Sequence, residues 1–467
     1  MGACKLFYDQ ERWSNLNAQY LISKFSNEFS NECLSESIVR SVALTLLDTY
    51  AVALGGQSEP ACLAAGQYLD APGLDPQGVS TVWGLRRKTS PEVAALINGV
   101  AAHVLDYDDV SSPLRGHPSV VLWPALAALG EYTDMPTAKM ASAYLVGFEV
   151  MLKLARGFAI SQYATGWHTT ASIGIIGATA ACAHLLGLNI FQTSHAIGLA
   201  VAQTGGSRQN VGTQAKSFQA GHANAAAVRA VLMAQAGFEA SPEALDGPFG
   251  YFALYAQDRN GGNELFSMGK GALEFECIGI DVKKYPMCYA THRALDAVTD
   301  LMTTHKIHCD DIESVTVQTN SGALIPLVHP SPERGLEGKF SMQYGVAAML
   351  LDGQVCLSSF TDAAVARPSV RALMRRIAVR ETDSPIAPRW AEVCIRTKNT
   401  AVYTQKSELL RGSAAAPLSE NEMLLKVKDC LEWGNYNVDT AKLYKAVMRL
   451  GEGHSRSYFQ QIYETLL

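Results

Sequence analysis

Residues 170–187 read TASIGIIGATAACAHLLG, and this run of small side chains constrains the fold more than any other part of the chain. Small residues let two helix backbones approach closely, so the segment belongs at a helix–helix crossing inside a packed core. His168 before it and His184 within it argue against a membrane span. No uninterrupted apolar run is expected to be long enough to cross a bilayer. The start of the chain, MGACKLFYDQERW, offers no apolar signal core, and Leu6 stands where myristoylation wants Ser or Thr.

Up to about residue 270 the pattern is helix after helix. Ile38, Val42, Leu46, Leu47, Tyr50 and Leu54 recur at helical spacing until Gly55-Gly56. Ser90-Pro91-Glu92 is a start signal, a capping hydroxyl followed by proline in the first turn. The helix it opens, VAALINGVAAHVL, is apolar nearly all round and should be central. Further helices are expected over 138–157, 170–187 and 219–237. Near residue 277 the character changes. IGIDVKKYP, SVTVQTN, RIAVRET and WAEVCIRTKNTAVYTQ carry β-branched alternation, with a hairpin turn at Lys398-Asn399. Helical stretches lie between them, and amphipathic helix returns from about 417. The expected architecture is mostly α: a large all-α helical domain (1–276 and 412–467) with an inserted smaller α/β domain (277–411).

A formal net charge of −6 over 467 residues excludes the basic face that nucleic acid requires. An acidic substrate is still allowed if cations gather in one pocket. The ten cysteines have neither zinc-like nor redox-like spacing, which suggests a reduced, intracellular, cytoplasmic protein.

Four clusters could carry chemistry. His103, Asp106, Tyr107, Asp108 and Asp109, with Arg115 and His117 close behind, follow directly after the apolar helix, at the rim of a cavity. Their spacing fits no standard metal motif, and no metal is expected. His168 and Thr169 stand where a helix amino terminus presents free N–H groups to an anion. A glycine-rich loop holds Arg208, Gln214 and Lys216; Arg can grip a carboxylate with two parallel bonds and Lys can supply a point charge. His292 closes the stretch that opens the α/β segment, KKYPMCYATH. The chain contains neither a nucleophile elbow nor a dinucleotide fingerprint.

Taken in order, HVLDYDD with HPS, GWHTTASIG, GGSRQNVGTQAKSFQAGHAN, KKYPMCYATH and KFSMQYGVAAML resemble the MmgE/PrpD family, which includes 2-methylcitrate dehydratase, cis-aconitate decarboxylase and iminodisuccinate epimerase. The resemblance implies a helical domain with an α/β lid, a homodimer, no cofactor, and acid/base chemistry beside a carboxylate of a small polycarboxylic acid. Carried over residue by residue, it makes Asp106, His117, His168, Lys216 and His292 catalytic. Lys216, His168 and Arg208 would steady the enolate-like charge. His117 and His292 would serve as base and acid, and Asp106 would orient one of them. Arg208, Gln214, Tyr107 and Thr169 would contact the substrate. A lyase is the expected reaction, an epimerase its alternative. A non-catalytic binding protein has less to recommend it, because all five catalytic positions are filled. Val110 stands where the decarboxylase branch tends to have a hydroxyl residue. With Arg208 where that branch is apolar, a substrate with an additional carboxylate or a different pose is favoured.

Overall fold

The computed structural model describes residues 17–30, 34–70, 78–256 and 262–467. The amino-terminal segment MGACKLFYDQERW lies outside them, as do Cys4 and Cys33. At the centre is the helix Pro91–His103, which Ser90 opens by accepting from the Val93 N–H. It crosses the helix Ala215–Gln235 at two glycines. A Cβ on Gly99 would lie 2.8 Å from the Gly221 Cα, and one on Gly221 would lie 2.4 Å from the Leu96 carbonyl oxygen. Any larger residue there would push the backbones apart.

The small-residue run behaves as expected at its own crossing. The helix Gly174–Leu186 packs on Thr137–Thr165, and a Cβ on Gly147 would come 2.9 Å from the Gly177 carbonyl oxygen. The run is interrupted only at Ile173, where the short helix Thr169–Ser172 leads into Gly174–Leu186. One expectation is corrected outright. Glu36–Gly56 and Thr169–Leu186 are both long and apolar enough to span a membrane by length and composition, yet 72% and 94% of their apolar windows are buried within the protein. Core helices of a large body reach the hydropathy of spans because other helices surround them on all sides.

Pro124 lies inside the helix Ser119–Thr133 and has no N–H for the Val120 carbonyl. Asn224 repairs the gap, donating from Nδ2 to that carbonyl at 2.8 Å and accepting the Ala125 N–H at 3.0 Å. This bond ties the helix carrying the HPS motif to the central pair.

The second unit has its own core, built from residues between Tyr285 and Ile395. Its four-stranded sheet runs Ile377–Glu381, Ile312–Thr319, Ala391–Thr397, Val402–Ser407 in spatial order. The first pair is parallel and the other two antiparallel, with the hairpin turn at Lys398-Asn399. The helices His292–His305 and Met342–Asp352 pack on this sheet. IGIDVKKYP does not become a strand: one bridge joins Asp281 to Val110 of the helical body. The alternation in that segment buries Lys283 and Tyr285 instead of building a ladder. After the sheet, the helix Glu420–Trp433 returns to the body, where Lys426 meets the buried Asp48 at 2.5 Å.

Candidate active site

The central helix ends at His103 and hands the chain to the loop 104–118. Asp106, at φ 53°, and Arg115, at φ 52°, both occupy the left-handed region there, at a cost of roughly 1–2 kcal/mol for a residue with a Cβ. The loop is held from outside. Three consecutive carbonyls, those of Leu105, Asp106 and Tyr107, each accept from a buried lysine: Lys339, Lys283 at 2.6 Å and Lys426 at 2.8 Å. Each lysine comes from a different part of the chain, and two belong to the second unit or its connection. Buried ammonium groups need acceptors, and aligned carbonyls provide them without adding charge.

A cavity of about 350 Å³ opens between this loop and the second unit. Asp106 sits on its wall, with Lys216 Nζ 2.5 Å from Oδ1 and Lys283 Nζ 3.1 Å from Oδ2. Burial alone would push this carboxyl up, but Lys216 and then Lys283 outweigh it and hold the carboxyl well below the usual range. Burial likewise pushes the Lys216 ammonium down, and Asp106 more than reverses that. The two directions agree: an ionised pair persists at neutral pH.

Behind them is a chain of imidazoles. Asp108 Oδ2 lies 2.8 Å from His103 Nδ1 and 3.0 Å from His117 Nδ1, the second contact bent away from an ideal hydrogen bond. Burial pushes the Asp108 carboxyl up, but His103 and His117 outweigh it and hold it well below the usual range. His117 Nε2 is then left 3.7 Å from Asp106 Oδ1. His168 Nδ1 lies 2.8 Å from Gln219 Oε1. Because Gln219 donates its amide to the Ser207 carbonyl at 3.0 Å, its oxygen accepts and His168 carries its proton on Nδ1. His168 Nε2 has no hydrogen-bond partner among the described residues. Burial, then the neighbouring His103 and Lys216, drives the His168 pKa well below the ordinary value and keeps the ring neutral. His103, stacked on His168 at 5.7 Å, is pushed down to about 4 by burial, partly offset by Asp108.

The same His103, Asp108 and His117 bring ligand atoms within 4.8 Å of one another, so they are the groups that could hold a divalent ion. In the geometry seen, Asp108 hydrogen-bonds His103 and sits in ion-pair contact with His117 instead.

The N-terminal domain of the MmgE/PrpD family matches residues 21–262 and its C-terminal domain residues 285–448. The chain belongs to the MmgE/PrpD family. Cis-aconitate decarboxylase from Mus musculus is 28% identical to it over 410 residues, 85% of this chain and 83% of the relative. The Homo sapiens cis-aconitate decarboxylase is 26% identical, covering 84% of this chain and 82% of its own. The 2-methylcitrate dehydratase of Escherichia coli (strain K12) is 26% identical, with 71% of each chain covered.

In this MmgE/PrpD chain Asp106, His117, His168, Lys216 and Arg208 all reach the cavity. The Arg208 guanidinium stacks 3.6 Å over the Tyr163 ring and donates to the Tyr163 carbonyl. Four expected residues do not line the cavity. His292 is wholly buried, with Nε2 donating to the Met287 carbonyl at 3.2 Å and Tyr285 and Tyr289 edge-on around it. Tyr107 turns its hydroxyl to the Lys284 carbonyl at 3.0 Å. Thr169 gives its hydroxyl to the Arg115 carbonyl at 2.9 Å, and Gln214 is exposed at the start of its helix. Being inside a motif placed these side chains near the site, but the backbone turns them away from its wall. Sequence reasoning passed over Lys283, although the KKYP pair was in view, because one of two adjacent lysines looks like the other until burial separates them. It also gave no role to Asp108 or Lys339.

Proposed function

We propose that this chain is a cofactor-independent lyase that removes a proton beside a carboxylate of a citrate- or aconitate-like acid. The observation that carries this reading is His117 Nε2 standing 3.7 Å from a carboxylate clamped between two ammonium groups. His117 Nε2 takes the proton from the carbon next to the substrate carboxylate. The electron pair flows into that carboxylate as an enediolate, whose charge Lys216 and Lys283 stabilise better than they do the ground state. The pair then returns to form a double bond as hydroxide leaves the adjacent carbon, receiving a proton to depart as water. On an acid that loses carbon dioxide instead, the carbanion left behind is reprotonated. Asp106 stays anionic and serves to hold both lysines, so the returning proton comes from an ammonium or imidazolium group.

One arrangement favours a second reading. His117 and His168 both line the cavity, and two imidazoles on one cavity are what an epimerase needs to remove a proton from one face and return it to the other. Proton NMR in heavy water with di-, tri- and tetracarboxylates separates the possibilities. A new alkene marks dehydration, and a vinyl product with carbon dioxide marks decarboxylation. Exchange of an α-proton with no new product marks epimerisation. No change with any acid ends the enzymatic reading. A homodimer belongs to the same proposal, supported by the exposed Ile160, Phe218 and Phe249, and light scattering at twice the chain mass checks it. So does an intracellular setting, supported by the free thiols of Cys62, Cys182 and Cys430.

A further inference from the structure

The cavity wall has more positive charge than the proton transfer uses. Besides Lys216 and Lys283, which share Asp106, it holds Arg115, Arg208, Arg293 and Arg389. Arg208 is taken up by Tyr163. The other three are not paired with a carboxylate among the described residues. Arg293 donates from Nε to the Glu408 carbonyl at 3.2 Å, and Arg389 to the Ser321 carbonyl at 3.3 Å. Arg115 lies 5.6 Å from the Tyr163 ring. Acids stand nearby, but each is turned to other donors. Asp281 accepts from the Ala414 N–H at 3.1 Å, and Asp296 from the Tyr285 hydroxyl at 2.9 Å and the Arg411 N–H at 3.0 Å. Glu381 accepts from the Leu324 N–H at 2.6 Å.

We propose that Arg115, Arg293 and Arg389 form a second anion subsite, which takes a substrate carboxylate remote from the one held at Lys216 and Lys283. This deepens the function proposed above and rests on it: the substrate is a polycarboxylate with carboxylates at both ends of its carbon chain. The three side chains come from opposite sides of the seam. Arg115 belongs to the loop that follows the central helix, Arg293 to the first turn of the helix His292–His305, and Arg389 to the connection leading into the strand Ala391–Thr397. They repel one another: Arg389 is pushed below the ordinary guanidinium value, first by burial and then by Arg115 and Arg293. A carboxylate between them replaces that repulsion with bidentate pairing, so binding draws the two units together over the reacting carbon. Arg115 is held in the left-handed backbone region, a strain that functional positions often carry.

Calorimetric binding of succinate, tricarballylate and butane-1,2,3,4-tetracarboxylate to the full chain tests this. Affinity should rise along the series, and Arg293→Met and Arg389→Met should each weaken the tri- and tetracarboxylate by about tenfold or more. Arg389→Lys, which keeps the charge without the fork, should recover part of the loss. Removing a repelling cation should also leave the melting temperature of the unliganded protein unchanged or raised, whereas a structural arginine would lower it. Affinities within twofold of wild type in both methionine variants would overturn the subsite. Lys216→Met distinguishes the two proposals. If it weakens no acid while the arginine variants do, the lysine end has been misread and the subsite stands. If it weakens every acid while the arginine variants change nothing, the reverse holds.

Discussion

Asp108 Oδ2 lies 3.0 Å from Nδ1 of His117, and this contact decides which nitrogen of the ring is left for chemistry. A carboxylate at Nδ1 keeps the proton there, so the lone pair stands on Nε2. On the proposed function, Asp108 is therefore a positioning residue. Asp108→Asn can present its amide to the imidazoles and favour the opposite tautomer. It should lower kcat/KM by roughly 10³–10⁴ with the fold retained by circular dichroism. A changed pH–rate profile would separate lost tautomer control from general damage, and an unaltered profile with near wild-type turnover would remove Asp108 from the account.

Lys216→Ala and His168→Ala should each abolish measurable turnover, with losses of 10² or more in kcat, about 3 kcal/mol of transition-state stabilisation. Their melting temperatures should stay within a few degrees of wild type, because both side chains face the cavity rather than the core. If both variants unfold, these groups are structural.

His292→Phe tests the opposite expectation. The ring is enclosed by Tyr285 and Tyr289 and bonded to the Met287 carbonyl, so its loss should cost about 1–3 kcal/mol of stability while kcat remains within a few-fold. Burial, reinforced by Lys283, pushes this imidazole down to about 3, so it stays neutral through the working range. A variant that is stable and dead would return His292 to the catalytic set.

Burial holds the Lys339 ammonium down at about 8, against an ordinary 10.5. Between those values the unfolded chain binds a proton that the folded chain does not, so this group's cost is full below pH 8 and fades as pH rises to 10.5. Wild-type stability should therefore gain on that of Lys339→Met by up to about 1.4 kcal/mol per pH unit in this window. Urea titrations of both proteins across it make the comparison; parallel curves would show that Lys339 is not strained by its burial.

Dialysis against a chelator should leave activity unchanged if His103, Asp108 and His117 act without an ion. Loss of activity restored by a single divalent ion would convert the same three residues into a metal centre.

Much of this molecule was readable along the chain. Ser90-Pro91 marked the start of the central helix, the run 170–187 marked one close helix crossing, and the four strands of the second unit followed from period and turn chemistry. The HVLDYDD, GWHTT and GTQAK segments supplied Asp106, His168 and Lys216. The prediction that IGIDVKKYP is a strand failed because alternation reports burial of every second residue, and here the buried lysine bonds across the seam instead of to a sheet.

Capping, periodicity and close packing act over a few residues, so helix positions and most of the candidate site groups were already present in the linear order. Long-range convergence was not. That Lys283, Lys339 and Lys426 meet three successive carbonyls around Asp106, and that His292 turns inward while three arginines meet no carboxylate among the described residues, depends on which buried charges find partners once the two units close. Such partnerships are settled by desolvation and distance in three dimensions, and spacing along the chain carries no trace of them.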